Sequence, residues 1–246
     1  MNIDDIILAL LLLLAALLYS SVGHAGASGY LAAMALLGVP PEIMRPTALA
    51  LNIVVALVAT TKFYRAGSFS WRLIIPLVIT SIPLAYLGGR LNLPVDIYKQ
   101  LIGAVLIFAA GRSFYTSKGA CTYELRTAPV PILLILGGCL GFLSGLTGVG
   151  GGIFLSPLLL FSRWAPVKVI SGVSAAFILV NSIAGILGLL SSKPLFHPAL
   201  PVWAVVVLIG GYIGAEFGSR RLGNPTIQKL LGVVLLVAGI KMVAGV

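Results

Sequence analysis

The chain has 246 residues, of which 59% are apolar and only 9% charged, with a mean hydropathy of +1.12 and a formal net charge of +10. So little polar surface cannot coat a soluble globule, which excludes a soluble enzyme or binding module and reads as a polytopic membrane protein. The 16 Lys and Arg stand singly at the ends of apolar runs rather than clustered with aromatics, so they read as loop charges obeying the positive-inside rule and not as a nucleic-acid face.

The N-terminus carries Asp4 and Asp5 in place of a basic leader, so the first apolar run reads as a retained span. Apolar segments follow near 6–22, 27–38, 46–62, 72–90 and 97–115, then a polar connector over 116–128. The pattern recurs at 130–147, 151–162, 169–191, 200–219 and 226–245. The chain thus divides into a first transmembrane repeat (1–115), the connector, and a second repeat (129–246). In each half the second segment is short, while about 20 residues are needed to span a bilayer, so these pieces read as half-helices or as helices lengthened by their flanks. Cys121 and Cys139 lie 18 apart without CxxC spacing, and no metal site or disulfide is indicated.

The segment from Ser144 to Pro157 holds five glycines in nine residues: Gly145, Gly148, Gly150, Gly151 and Gly152. Each costs about 1 kcal/mol against alanine inside a helix, so the run predicts an unwound stretch with free amide N–H groups. In a bilayer such backbone is tolerated only where it is buried in protein or lines a cavity. The apolar run resumes at Ile153, which puts those amides near a helix N-terminus, a place that favours an anion.

The halves also match each other. Ser20 aligns with Ser144, Gly26 with Gly150, Tyr30 with Phe154 and Leu31 with Leu155 at an offset of 124. Ala85 to Gly88 lies over Gly211 to Gly214 at 126, and Gly103 with Arg112 over Gly232 with Lys241 at 129. A small drift across a common element order predicts one duplicated unit. Five crossings per unit would invert the second copy. Ten crossings put eleven Lys and Arg on one side and five on the other, whereas eight crossings divide them evenly, so the charge pattern favours ten with both termini outside.

These residues resemble the TauE/SafE family of sulfite and organosulfonate exporters. The resemblance rests on Gly26 to Leu31, Gly148 to Pro157, Phe63 to Arg72 and Phe177 to Ser182, in order along essentially the whole chain. It implies a bacterial-type inner-membrane, multi-pass carrier for small sulfur-containing anions, working without ATP. His24 and Ser28 depart from the all-glycine form of the first element, which puts sulfite itself in question.

The predicted site joins two opposed glycine elements at the midplane. One supplies Ser20, Ser21, Gly23, His24, Gly26, Ser28 and Gly29; the other supplies Ser144, Thr147, Gly148, Gly150, Gly151 and Gly152. Their amides and hydroxyls would receive an oxyanion, although glycine and serine also serve close helix packing. Asn52 and Asn181, in the third segment of each half, either bond a neighbouring helix or face the site. His24 could donate to an anion or carry a proton, or be a neutral histidine satisfied by a carbonyl, while His197 reads as a loop residue. Glu216 is the acid inside an apolar segment; Arg220 at i+4 would neutralise it, with proton coupling as the minor reading. Arg45 reads as a snorkelling anchor or an attractor of anions.

No phosphate-binding GxxxxGK[ST] loop occurs, so gradients and not nucleotide hydrolysis must drive transport, and no cofactor is expected. The rival readings are an intramembrane serine hydrolase built on Ser28 in Gly26-Ala27-Ser28-Gly29, and an anion channel. The expected partners are a small anion and the lipid bilayer; whether two carriers pair as a homodimer is left open.

Overall fold

The computed structural model describes residues 3–116, 125–220, 235–236, 239–240 and 242–244, without the side chains of 112–116 and 220. Among the described residues the regular structure is helical, apart from turns. The helices are α1 (Ile3–Ser20), α2 (Ala27–Leu36), α3 (Pro41–Arg65), α4 (Trp71–Arg90), α5 (Val95–Thr116), α6 (Val130–Thr147), α7 (Gly152–Phe161), α8 (Val167–Leu189) and α9 (Leu200–Arg220), with a 3₁₀ turn at Leu190–Ser192. Six of them, α1, α3, α4, α6, α8 with its 3₁₀ extension and α9, are long and apolar enough to cross a membrane. The chain is therefore an all-α polytopic membrane protein. The expected last segment, 226–245, falls mostly outside the described residues, though Gly239 and Val243 pack on Gly103 of α5.

The helices α3 and α8 form the centre. Their apolar windows are 61% and 67% buried, against 33–44% for the other four membrane-length helices, whose outer faces carry Ile, Leu and Phe toward lipid. In hydrocarbon, apolar burial cannot drive helices together, and close backbone approach takes over. Two glycine stripes at four-residue spacing provide it. Gly137, Gly141 and Gly145 of α6 lie on the carbonyls of Leu77, Ser81 and Ala85 of α4, and Gly210, Gly214 and Gly218 of α9 lie on those of Leu13 and Leu17 of α1 and of Ser21 just past its end. A Cβ at Gly214 would overlap Leu17 O and Ser20 Oγ. Gly214→Ala is expected to push α9 off α1 and cost about 1–3 kcal/mol, read as a lowered melting temperature in detergent with the protein still inserted.

The contacts sort the helix ends into two sets. At one end Arg45 of α3 reaches the C-termini of α4 and α6, Asn92 reaches Ser192 beyond α8, and Trp203 of α9 donates to Asp5 O of α1 at 3.3 Å. At the other end Lys62 of α3 meets Glu216 of α9, Gly23 lies on Ser171, Gly172 lies on Ser68, and the Arg126 N–H donates to Arg163 O. Successive helices from α1 to α9 accordingly alternate in direction, and α1 and α6 are antiparallel. The second end carries Lys62, Arg65, Arg72, Arg126, Arg163 and Lys168 with Glu216; the first mixes Asp4, Asp5, Glu42 and Asp96 with Arg45, Arg90, Lys99 and Lys193.

One boundary differs markedly from the sequence expectation. The third segment starts at Pro41, five residues before the expected Pro46: Pro41 occupies the N1 position that suits proline, and Pro46 is carried inside α3. The short segments are α2 and α7, ten residues each, rising about 15 Å, half the hydrocarbon thickness. Each follows an unwound stretch, 21–26 and 148–151.

Candidate functional site

Glycine dictates the geometry of both unwound stretches. α6 ends on Gly148 at φ 82°, and Gly150 and Gly151 follow at 81° and 76°, so that α7 begins from a left-handed N-cap. Only glycine holds this region without a steric cost, and successive left-handed amides form a concavity that suits anions. The first stretch has Gly23 at φ 76° and Gly26 at φ 107°, the latter capping α2.

Two polar side chains without partners, Asn52 and Ser144, stand at the second stretch. Among the described residues, both amide atoms of Asn52 and Oγ of Ser144 are buried and make no hydrogen bond; the same holds for Oδ1 of Asn181, Oγ1 of Thr47 and Thr60, and Oγ of Ser81 and Ser182. Asn52 stands directly beside Gly150, where an added Cβ would come within 3.0 Å of its Nδ2 and 2.7 Å of Ile178 Cγ2. A Cβ on Gly151 would meet Ser144 Cβ at 3.4 Å and Phe177 at 2.9 Å. An unpartnered buried amide or hydroxyl costs about 1–3 kcal/mol, so a group of them is a strain that a bound polar solute would relieve.

The other predicted residues divide between this cluster and helix packing. Asn181 Nδ2 donates to Phe177 O at 2.9 Å. Thr147 donates to Leu143 O and accepts the Val149 N–H at 3.3 Å, fixing the turn into the glycines. Gly148 lies against Arg45, and Gly152 against Ile178 and Ser174 O. Ser20 and Ser21 instead donate to Leu17 O and Leu18 O of their own helix, under the α9 glycine stripe. Gly29 packs on Ala15 and Tyr19, Gly26 on the Tyr30 ring, and Ser28 is buried in α2.

The first stretch reaches α7, the helix that follows the second stretch, through His24. Its Nδ1 lies 3.1 Å from Val22 O and its Nε2 3.1 Å from Ser156 Oγ of α7, which in turn reaches Ser174 Oγ at 2.7 Å and Gly152 O at 3.1 Å. Both ring nitrogens thus serve partners other than Ser28, the nucleophile of the hydrolase reading. Sequence reasoning does not single out Ser156, Ser174, Thr47 or Ser182; a hydroxyl within a long apolar segment is the signal that marks them.

Arg45 departs from the snorkelling expectation. It is 5% exposed, and its guanidinium donates to Gly145 O from Nε at 3.0 Å and Nη2 at 2.7 Å, to Gly88 O at 2.7 Å, Gly89 O at 2.9 Å and Leu91 O at 2.9 Å. A positive fork set across two helix C-termini meets both their dipoles and their orphan carbonyls. Glu216 accepts the Lys62 ammonium at 2.5 Å, with Lys62 also 3.9 Å above the Tyr212 ring; the side chain of Arg220, its expected partner, lies outside the described residues. His197 stacks on Trp203 in the connector before α9, 3.8 Å from Asp5 Oδ1.

Six membrane-length apolar helices and two glycine-broken stretches define a multi-pass membrane protein, and the comparisons with known proteins place it among membrane transporters. The chain belongs to the family described as "Sulfite exporter TauE/SafE", whose model matches residues 8–242. It is 39% identical over 245 residues to "Probable membrane transporter protein y4hK" of Sinorhizobium fredii, covering 98% of this chain and 99% of that one. It is 26% identical over 241 residues to "Probable membrane transporter protein YjnA" of Bacillus subtilis, covering 90% and 92%. No solved structure gives a significant match. The chain is accordingly a bacterial-type multi-pass membrane protein.

Proposed function

We propose that the chain is a secondary carrier that moves a small sulfur-containing anion, of the sulfite or organosulfonate class, by alternating access between two inverted repeats. The observation that carries this reading is the run of left-handed glycines at Gly148, Gly150 and Gly151 beside the partnerless amide of Asn52 and hydroxyl of Ser144. Amides and neutral donors are what an oxyanion needs in a low-dielectric site, and they hold it without a fixed counter-charge that would slow release. The inverted repeat is supported by the opposite directions of α1 and α6 and by the exchange of packing between halves: α4 packs on α6 and α8, and α9 on α1 and α3. The basic end is read as cytoplasmic. An anion leaving a cell that is negative inside then gains about 2.3 kcal/mol per charge per 100 mV, which favours export.

The test is flux in proteoliposomes with sulfite, thiosulfate, sulfoacetate and sulfate offered in turn under an imposed potential of either sign. Saturable flux with counterflow of one of the sulfur anions is the expected result; flux of none of them, or flux that never saturates, overturns the reading. Asn52→Leu sharpens it. Removing an orphaned amide from a buried position should leave the melting temperature unchanged or raised, while flux falls at least about tenfold, the loss of one charge-assisted hydrogen bond. A variant that keeps full flux would remove Asn52 from the site.

A further inference from the structure

Beyond the glycine centre, the end of the molecule opposite the basic face holds a cavity of about 380 Å³ between the ends of α3, α4, α5 and α8. Its walls include Glu42, Arg45, Asn92, Tyr98, Ser192 and Lys193. Two cations and one acid give this lining a positive balance. Arg45 is the inner cation. Its Nη1 is bonded once, to Leu91 O, which leaves that nitrogen's second N–H available to a solute. Arg45 also touches Gly148, and the Tyr98 hydroxyl donates to Thr147 O at 3.1 Å, so the cavity ends against the outer edge of the glycine stretch. Lys193 is the outer cation. It follows the 3₁₀ turn with φ 50°, a left-handed conformation in which glycine or asparagine is the unstrained choice. A lysine held there sets an exposed ammonium at the cavity rim, and a non-glycine residue kept in strained backbone points to function.

We infer that this cavity is a second anion site, a vestibule in which Lys193 and Arg45 collect a small oxyanion one step outside the glycine centre. The inference rests on reading the chain as an anion carrier, but it concerns binding at the rim and needs no turnover. With a single acid, Glu42, among its walls, the vestibule concentrates anions by field rather than by tight coordination, so its effect is salt-sensitive.

The experiment is charge-selective labelling. Leu195, an exposed wall residue, is changed to cysteine in a Cys121→Ser, Cys139→Ser background and reconstituted in phosphatidylcholine nanodiscs. The thiol is then treated with sulfonatoethyl and trimethylammonioethyl methanethiosulfonate. The anionic reagent is expected to react preferentially. That preference should fall roughly five- to tenfold in Lys193→Gln, as removal of one nearby unit charge requires, return in Lys193→Arg, and collapse at about 0.5 M salt. Millimolar sulfoacetate, an anion of the proposed class that does not attack the methanethiosulfonate, should slow the anionic reagent and leave the cationic one unaffected. A preference indifferent to Lys193→Gln overturns the vestibule. So does an absence of protection by sulfoacetate, including the case where phosphatidylglycerol in the nanodisc protects instead, which would make the cavity a lipid-headgroup site. Gly150→Val separates the two proposals: labelling intact with flux lost keeps both, whereas flux intact with labelling as expected removes the glycine centre and leaves the vestibule.

Discussion

Gly150→Val is expected to abolish anion flux while the protein remains inserted. Gly150 sits at φ 81°, a region that a β-branched residue rarely enters, and the new side chain would start 2.7 Å from Ile178 Cγ2 and 3.0 Å from Asn52 Nδ2. Both effects act where the amides and the Asn52 side chain converge, so the concavity is filled and its N–H groups turned away. A loss of at least about 100-fold is expected, since several hydrogen bonds to the anion go together. Two variants separate blockage from backbone strain. Gly38 has φ 71° with open space for 4 Å around the position an added methyl would take, so Gly38→Ala carries the strain alone and should keep its flux. Gly150→Ala adds the smallest group to the site and should already slow transport. Flux in Gly150→Val equal to that of the parent chain would end the proposal for a glycine site.

The second large effect is on folding. Arg45→Met removes the donor for the carbonyls of Gly88, Gly89, Leu91 and Gly145, leaving four acceptors at two helix C-termini without their present partner. Breaking a buried charge network from one side costs about 3–5 kcal/mol, comparable with the whole stability of many domains. Fluorescence-detected gel filtration should show loss of the monodisperse peak, and any surviving protein should melt at a far lower temperature. Arg45→Lys should rescue little, because a single ammonium lacks the planar fork that spans α4 and α6. Normal folding of Arg45→Met would return Arg45 to the role of a surface anchor. The contrast with Asn52→Leu is diagnostic: one residue holds the helices together, and the other is held in place against its own solvation.

Much of the fold is legible from periodicity and breakers alone. Runs of apolar residues mark the membrane-length helices, and the clustered glycines mark the breaks before α2 and α7, because both signals arise from local chemistry. The division of labour between alike residues is not legible. Ser20 and Ser144 align in the two halves, yet Ser20 donates to Leu17 O beneath an α9 glycine while Ser144 Oγ has no partner among the described residues. Glu216 reads in sequence against Arg220 four residues away, whereas α3 brings Lys62 to it from 154 positions earlier. Arg45 before Pro46 looks from sequence like any cation at the end of a span.

The sequence by itself determined that this protein lives in a bilayer, which segments are long and apolar, where they break, and that the breaks are glycine-made. Those properties depend on hydropathy and backbone freedom, which are set residue by residue. Only the tertiary structure decided which polar side chains are spent on packing and which stand without partners beside Gly150, and that Arg45 closes two helix ends. Hydrogen-bond satisfaction depends on neighbours distant in the chain, and that is a property of packing and not of any one residue.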